Sequence, residues 1–117
     1  MEDATGALDP EVVDRLRALA QAGNSTLLDR LQTAFARDTP DRLRSLRAAV
    51  AGGDADAMAF NLHTLTGSAA TLGAIRVVAS CQALSHASGA AVGPLLAELE
   101  RSAADAQAAL TRLAETG

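Results

Sequence analysis

The 117-residue sequence contains no lysine, tryptophan or tyrosine, and it has one cysteine and two phenylalanines. A single cysteine, Cys81, excludes an internal disulfide and a metal site built from several cysteines. Residues that favour strands are few, whereas alanine and leucine, which favour helices, are abundant. The composition therefore predicts an all-α protein. The length predicts one domain over residues 1–117, ordered from about 9 to 114, with frayed ends.

Basic side chains are in the minority, because 10 arginines stand against 14 acidic residues and give a formal net charge of −4. A nucleic-acid-binding protein needs a basic face to neutralise phosphates, so the charge argues against that class. No apolar run is long enough to span a bilayer, and the first residues lack the basic start and apolar stretch of a signal peptide. We therefore expect a cytoplasmic protein with no nucleic-acid or membrane partner.

The first helix is predicted from three consecutive residues at its start. Asp9 supplies a capping carboxylate, Pro10 suits the first helical position, and Glu11 places an acid in the first turn. The helix is expected to run to about Gln21 and to end before Gly23.

A second helical segment begins after 24–26, where Asn-Ser-Thr suits an N-cap. Pro40 has no amide hydrogen to donate, so a break or kink is expected at 38–40. The apolar pattern resumes with Leu43, Leu46 and Val50, and the glycines at 52–53 are expected to end it.

The third helix has the clearest pattern, with Asp54 as the predicted cap and Gly73 as the predicted end. Apolar residues recur between them at spacings of three and four, and two later segments show the same spacing. Because the connections are short and each helix has one apolar stripe, the helices are expected to pack as antiparallel neighbours in a bundle. The predicted stripes are Ala55, Met58, Leu62, Leu65, Ala69 and Leu72; Val77, Cys81, Leu84 and, as an optional further position, Ser88; and Val92 or Leu96, followed by Leu99, Ala103, Ala106, Leu110 and Leu113.

His63 does not belong to the apolar stripe of the third helix. At about 100° per residue it falls roughly 130° from the centre of the stripe, on the solvent side. Gly67 follows one turn later on the same face and leaves space beside the imidazole, although glycine costs a helix about 1 kcal/mol relative to alanine. Phe60, one turn earlier, is predicted to be exposed, which indicates a docking surface.

Neutral imidazole has a free ring nitrogen that can attack a phosphoryl group, and phosphohistidine is labile enough to pass the group on. Such a transfer depends on in-line positioning and charge neutralisation more than on acid–base groups. An exposed histidine in a shallow apolar patch is therefore chemically sufficient if a partner supplies the rest. On the residues alone, a surface histidine without a function remains an equal alternative.

The run His63-Thr-Leu-Thr-Gly-Ser-Ala-Ala-Thr-Leu-Gly-Ala74, followed by Cys81-Gln-Ala-Leu84, resembles the histidine-containing phosphotransfer (HPt) domain of bacterial multistep phosphorelays. The family pattern reads His-x-Leu-Lys-Gly-Ser-Ala/Ser, two residues, Leu-Gly-Ala, then Leu, Cys and Leu at set intervals. Upstream, Phe35, the segment 38–40 and the turn at 53–54 also fit the family, so the resemblance covers nearly the whole chain.

The resemblance implies an antiparallel up-and-down four-helix bundle with an extra N-terminal helix. It also implies a phosphoryl carrier rather than an enzyme, in which His63 accepts the group from a receiver-domain aspartate and passes it to another receiver. The expected partners are response-regulator receiver domains, and possible partners include a hybrid sensor kinase. Gly67 would be the clearance position, and Phe60 and Thr64 would form the docking surface. No metal or other cofactor is expected on this chain, because magnesium belongs to the receiver, and a monomer is expected.

Two positions depart from the family pattern. The lysine that usually follows the histidine by three residues is replaced by Thr66, whose neutral hydroxyl offers a weaker bond than a charge-assisted one. Ser85 stands where the neighbouring helix often has glutamate or glutamine. Both departures bear on the rate and lifetime of phosphorylation. Thr66 also raises an alternative function, a binding module of the same fold that docks and regulates a receiver domain without efficient phosphotransfer.

Other candidates are weaker. His86 makes a poor metal or relay site with His63 because no carboxylates are in register. Cys81 is expected to be a buried small hydrophobe. Ser68 lacks the third group and the oxyanion loop of a hydrolase.

A sensor-kinase dimerisation helix would place an acid directly after the histidine, where Thr64 stands. The basic residues after Pro40 predict a solvated helix face, and the less favoured alternative is a patch that attracts an acidic receiver surface; they are Arg42, Arg44 and Arg47.

Overall fold

The computed structural model describes residues 6–116, and this part of the chain is built from helices with no strand. The expectations for residues 1–5 and for Gly117 lie outside the described residues. The all-α class predicted from the composition is confirmed. The helices are α1 (Pro10–Gln21), α2 (Leu27–Gly52), α3 (Ala55–Leu72), α4 (Ile75–Ser85) and α5 (Val92–Thr116), with a 3₁₀ turn at Gly89–Ala91 before α5.

The helix ends follow the capping chemistry of the sequence. Asp9 accepts a hydrogen bond from the amide of Glu11 at 3.0 Å, and Asp54 accepts one from the amide of Ala57 at 3.0 Å. Gly53 ends α2 at φ 67°, a left-handed conformation that glycine adopts without a steric penalty. At the start of α2, Thr26 is the N-cap but makes no side-chain capping bond.

Four helices form the predicted bundle. Helix α2 packs against α3 and α5, and α4 packs against the same two helices, so that α2 to α5 enclose one core. Helix α1 adds to this bundle from the outside and contacts α2. No helix within residues 6–116 is long and apolar enough to cross a membrane. The buried apolar residues include most of the predicted stripe positions. The exceptions are Ala55 and Ser88, which are exposed, and Leu43, Val50, Met58 and Val92, which are half-buried.

Helix α2 is continuous through Pro40, so the break expected as one alternative at 38–40 is wrong, and the other alternative, a kink, stays a prediction. Proline removes one backbone hydrogen bond from a helix interior, which on its own favours an interruption. The buried positions nevertheless keep one helical phase across the proline, from Phe35 through Thr39 to Leu46. Burial of this continuous stripe offsets the lost bond, because tertiary packing supplies most of the stability of a helix.

The segment before α1 belongs to the core, which the sequence pattern did not predict. Ala7 and Leu8 are each 2% exposed. The amide of Asp9 donates to the carbonyl oxygen of Gly73 at 2.7 Å, so the start of α1 is tied to the turn between α3 and α4. At the other end of the chain α5 continues to Thr116, beyond the expected limit near 114.

Candidate functional site

His63 lies in the middle of α3, and its side chain is exposed as predicted. Its neighbours Leu62 and Leu65 are buried at 5% and 2% exposure, so the apolar side of the helix is packed while the histidine points outward. Phe60, one turn earlier, is 61% exposed and is one of three large apolar side chains that remain exposed among the described residues. The predicted exposure of both residues is confirmed. We call the exposed residues Phe60, His63 and Gly67 the His63 face.

The space beside the imidazole is open at Gly67. A Cβ atom built on this glycine would meet nothing within 4 Å, and the backbone there is helical. The bundle therefore leaves room for a side chain to begin at position 67. Since glycine costs a helix about 1 kcal/mol relative to alanine, its presence is not explained by the packing of the bundle.

The hydroxyl groups around His63 are bonded to their own helix. Thr64 donates to the carbonyl oxygen of Phe60 at 3.0 Å, and Thr66 donates to that of Leu62 at 2.8 Å. Farther along, Ser68 and Thr71 donate to backbone carbonyls in the same manner. Threonine and serine in helices commonly bond to the preceding turn, and the bond uses the single proton of each hydroxyl.

Thr66 lies between solvent and helix α4. It is half-buried, and its hydroxyl contacts the thiol of Cys81. Burial raises the pKa of that thiol above its usual value, and the contact with Thr66 acts in the opposite direction. Cys81 is 1% exposed, which confirms that it is a buried small hydrophobe and not an accessible nucleophile.

Ser85, the second departure from the family pattern, is the last residue of α4 and is exposed. Its hydroxyl donates to the carbonyl oxygen of Gln82 at 2.7 Å. As with the α3 hydroxyls, the proton is held by the local backbone. His86 follows as the exposed C-cap residue of α4.

Arg42 of α2 reaches across to the His63 face, a contact that the sequence analysis did not predict. Its guanidinium carbon lies 5.4 Å from the centroid of the Phe60 ring, within the range of a cation–π interaction. Its Nη1 donates to Oδ1 of Asn61 at 3.1 Å. Asn61 is 4% exposed and its amide donates to the carbonyl oxygen of Ala57 at 2.8 Å, so the acceptor of Arg42 is held in place from behind.

The three arginines that followed Pro40 in the sequence do not form one patch. Arg44 pairs with Asp41 on its own helix, and Arg47 forms a bidentate bond to Glu100 of α5 at 2.6 and 3.0 Å. Arg42 differs from both because it turns towards α3 and bonds to a neutral amide. The expected solvated basic face is therefore divided among three different directions.

The described residues bring no group of three or more histidine, cysteine or carboxylate side chains together in a way that could hold a metal ion. His63 and His86 therefore gain no carboxylate partners for a joint metal site. The expectation that magnesium belongs to the partner stays a prediction.

Comparison with known proteins agrees with this geometry. The family model described as the Hpt domain matches residues 30–114. A crystal structure of histidine-containing phosphotransfer protein B (HptB) from Pseudomonas aeruginosa PAO1 superimposes with a TM-score of 0.81 and 24% sequence identity, covering 95% of this chain and 96% of that chain. No curated protein sequence matches the chain.

Proposed function

The chain belongs to the Hpt domain family, and from this premise we propose that it is a phosphorelay intermediate that carries the phosphoryl group on His63. The observation that carries the proposal is an exposed histidine in the middle of α3, beside a glycine that leaves open space. The rest of the bundle supplies a rigid support, because the side of α3 opposite His63 is packed into the core.

The proposed reaction needs little from this chain beyond the imidazole. The lone pair of one ring nitrogen attacks the phosphorus of an aspartyl phosphate on a receiver domain. A nitrogen–phosphorus bond forms as the bond from the acyl oxygen to phosphorus breaks, and the electron pair leaves on the receiver's carboxylate. The other ring nitrogen keeps its proton. Transfer to a second receiver is the reverse reaction on a new carboxylate.

The surface around His63 suits a partner that completes the site. A receiver must bring its aspartate in line with the ring nitrogen, which requires close approach to α3. The open space at Gly67 permits that approach, and the exposed ring of Phe60 with the half-buried Thr64 offers a surface for contact. We propose that magnesium is held by the receiver, since the described part of this chain offers no cluster of metal ligands. A cytoplasmic location follows from this role.

A second candidate function rests on Thr66. Helix α3 carries no lysine or arginine, and the hydroxyl of Thr66 is bonded to the carbonyl oxygen of Leu62 at 2.8 Å. A site without the usual lysine has less help in holding a phosphoryl dianion. The alternative is therefore a binding module of the same fold that docks a receiver domain and regulates it by occupancy.

The two functions are separated by following a radioactive phosphoryl group. The chain is mixed with a receiver domain labelled by acetyl [³²P]phosphate and magnesium, and a second receiver is added later. We expect label to move onto the chain and then onto the second receiver. The variant His63→Gln should accept none, whereas the control His86→Gln should behave like the wild type. Binding of the receiver with no label on the wild-type chain would support the binding module instead.

A further inference from the structure

We propose that Arg42 supplies the positive charge that stabilises the phosphoryl group on His63, in place of the lysine that position 66 lacks. This inference rests on the proposed function, because it concerns a phosphoryl group carried on His63. It adds a residue from a different helix, α2, which contacts the histidine's helix through Phe60 and Asn61.

The first step is that the elements next to His63 leave few other cations. Helix α3 contains no lysine or arginine, and the one arginine of α4, Arg76, pairs with Asp105 of α5 at 2.8 Å. On α2, Arg44 and Arg47 pair with Asp41 and Glu100. Within residues 6–116, Arg42 is the arginine that contacts the His63 face itself, through the ring of Phe60.

The charge of Arg42 is only weakly compensated. Its hydrogen-bond acceptor is the neutral amide oxygen of Asn61, and no carboxylate in the described part of the chain forms an ion pair with it. Asp38 lies nearby, but a hydrogen bond from Arg37 is the main reason that the pKa of Asp38 is lowered, and the charge of Arg42 is the last of the causes. A phosphoryl dianion would therefore meet a guanidinium that still has donors to offer.

Arg42 lies on the α2 side of the His63 face. It bonds to Asn61, lies over Phe60, and lines a groove of about 230 Å³ with Thr64 and the carboxylates Asp38 and Asp41. Its contact with the His63 face is through Phe60, one turn before the histidine. The guanidinium lies 5.4 Å from the Phe60 ring, and the Cβ atoms of residues three apart on a helix are about 5–6 Å from each other. A group attached to His63 is therefore on the order of 10 Å from the charge, close to the Debye length of about 8 Å at physiological ionic strength, and it feels a partly screened attraction.

The hydroxyls cannot fulfil this role without breaking existing bonds. Thr64, Thr66 and Ser85 each donate their proton to a backbone carbonyl at 3.0, 2.8 and 2.7 Å. Charge-assisted hydrogen bonds are also about twice as strong as neutral ones. The phosphoryl group on His63 is thus expected to depend on Arg42 more than on any neighbouring hydroxyl.

The test measures how label divides between the chain and a receiver at equilibrium. A receiver domain labelled by acetyl [³²P]phosphate is freed of the donor and mixed at dilute, equal concentration with the chain and magnesium, and label on each protein is followed until the ratio is constant. A contact that only docks the receiver changes the forward and reverse rates equally. It therefore leaves this ratio unchanged, whereas a charge that stabilises phosphohistidine shifts it.

We expect Arg42→Gln to lower the share of label on the chain by about threefold to tenfold, as a partly screened charge would. Arg42→Lys should keep most of the wild-type share, and the control Arg17→Gln, at an exposed position of α1, should match the wild type. High salt should reduce the difference between wild type and Arg42→Gln. In the Arg42→Gln background, Thr66→Lys should restore the share, because it returns a cation to the family's position.

A second variant keeps Arg42 and compensates its charge. Asn61→Asp places a carboxylate where the amide now accepts the arginine's hydrogen bond at 3.1 Å, and it should lower the share of label in the same direction as Arg42→Gln. Circular dichroism confirms that each variant is folded. An unchanged ratio in both variants would overturn the inference, as would slower transfer in both directions with an unchanged ratio. A wild-type chain that accepts no label would instead contradict the proposed function itself.

Discussion

Gly67 and Gly73 belong to the same stretch of chain, one in the middle of α3 and the other at its C-cap, yet their surroundings are opposite. A Cβ atom at Gly67 would meet nothing within 4 Å, whereas one at Gly73 would lie 2.7 Å from Cβ of Val12 in α1. Gly73 also has φ 72°, a conformation that L-residues rarely adopt. The fold explains why position 73 is glycine, but it gives no reason for glycine at position 67.

The same contrast applies to the two regions around these glycines. At the end of α3, Val12 of α1 packs against Gly73. The amide of Asp9, the N-cap of α1, donates to the carbonyl oxygen of Gly73 at 2.7 Å. The His63 face is left uncovered by the bundle, with Phe60 61% exposed. One region therefore contributes to the stability of the fold, whereas the other is left open by the bundle.

The largest expected effect is on stability at the covered end. Gly73→Ala should lower the free energy of unfolding by about 3 kcal/mol, because it combines a left-handed backbone with a steric clash against Val12. Chemical denaturation followed by circular dichroism measures the change.

A matched control separates these two causes. Gly53 has a similar φ of 67° at the C-cap of α2, but a Cβ there would meet nothing within 4 Å. Gly53→Ala should therefore cost only about 1 kcal/mol. Equal losses in the two variants would show that the contact with Val12 contributes nothing.

At the open face, the expected effect is on transfer and not on the fold. Gly67→Gln should slow phosphoryl transfer from a labelled receiver by at least about tenfold, because the longer side chain crowds the approach to the imidazole. Its unfolding free energy should stay within about 1 kcal/mol of the wild type. Ala48→Gln, at an exposed position of α2, serves as the control and should transfer normally. Normal transfer by Gly67→Gln would mean that position 67 is not a clearance position.

A smaller substitution sharpens the comparison. Gly67→Ala should raise the free energy of unfolding by about 1 kcal/mol, since alanine is the better helix former and the added methyl group meets no atom within 4 Å. The measurement is the same denaturation experiment. A loss of stability would indicate that the chain itself requires glycine at this position, as it does at Gly73.

The smallest expected effect concerns the missing lysine. In the otherwise wild-type chain, Thr66→Lys should raise the share of label on the chain at equilibrium by about twofold to threefold, because Arg42 already supplies a cation to the same face. The control Thr66→Gln, which has no charge, should produce no such gain. A gain far larger than this would show that the wild-type site has no effective positive charge.

Much of the architecture was predictable from local pattern. The apolar stripe of α3 and its caps, Asp54 and Gly73, define the helix, and the same stripe identifies His63 as exposed. These features depend only on residues close together in the chain, which is why helical periodicity is sufficient to predict them.

Features that depend on long-range packing were not predictable in this way. Thr39 and Leu46 keep the helical phase of α2 across Pro40, and this phase was the signal for a continuous helix, but proline's local cost pointed to a break. Arg42 comes after the proline, so its direction depends on that continuity. Asn61 lies one turn from both Met58 and Leu65, and this spacing was the sequence signal for its burial. The contact between Arg42 and Asn61 joins two helices, so local sequence patterns could not predict it.

The most direct test of the central claim is to map the phosphoryl group on the chain. After transfer from a labelled receiver, the intact protein is analysed by ³¹P NMR and its peptides by mass spectrometry at alkaline pH, where phosphohistidine persists. We predict one acid-labile phosphoryl group on His63 in the wild type and in His86→Gln, and none in His63→Gln. Label that persists in His63→Gln, or that maps to His86 in the wild type, would contradict the account.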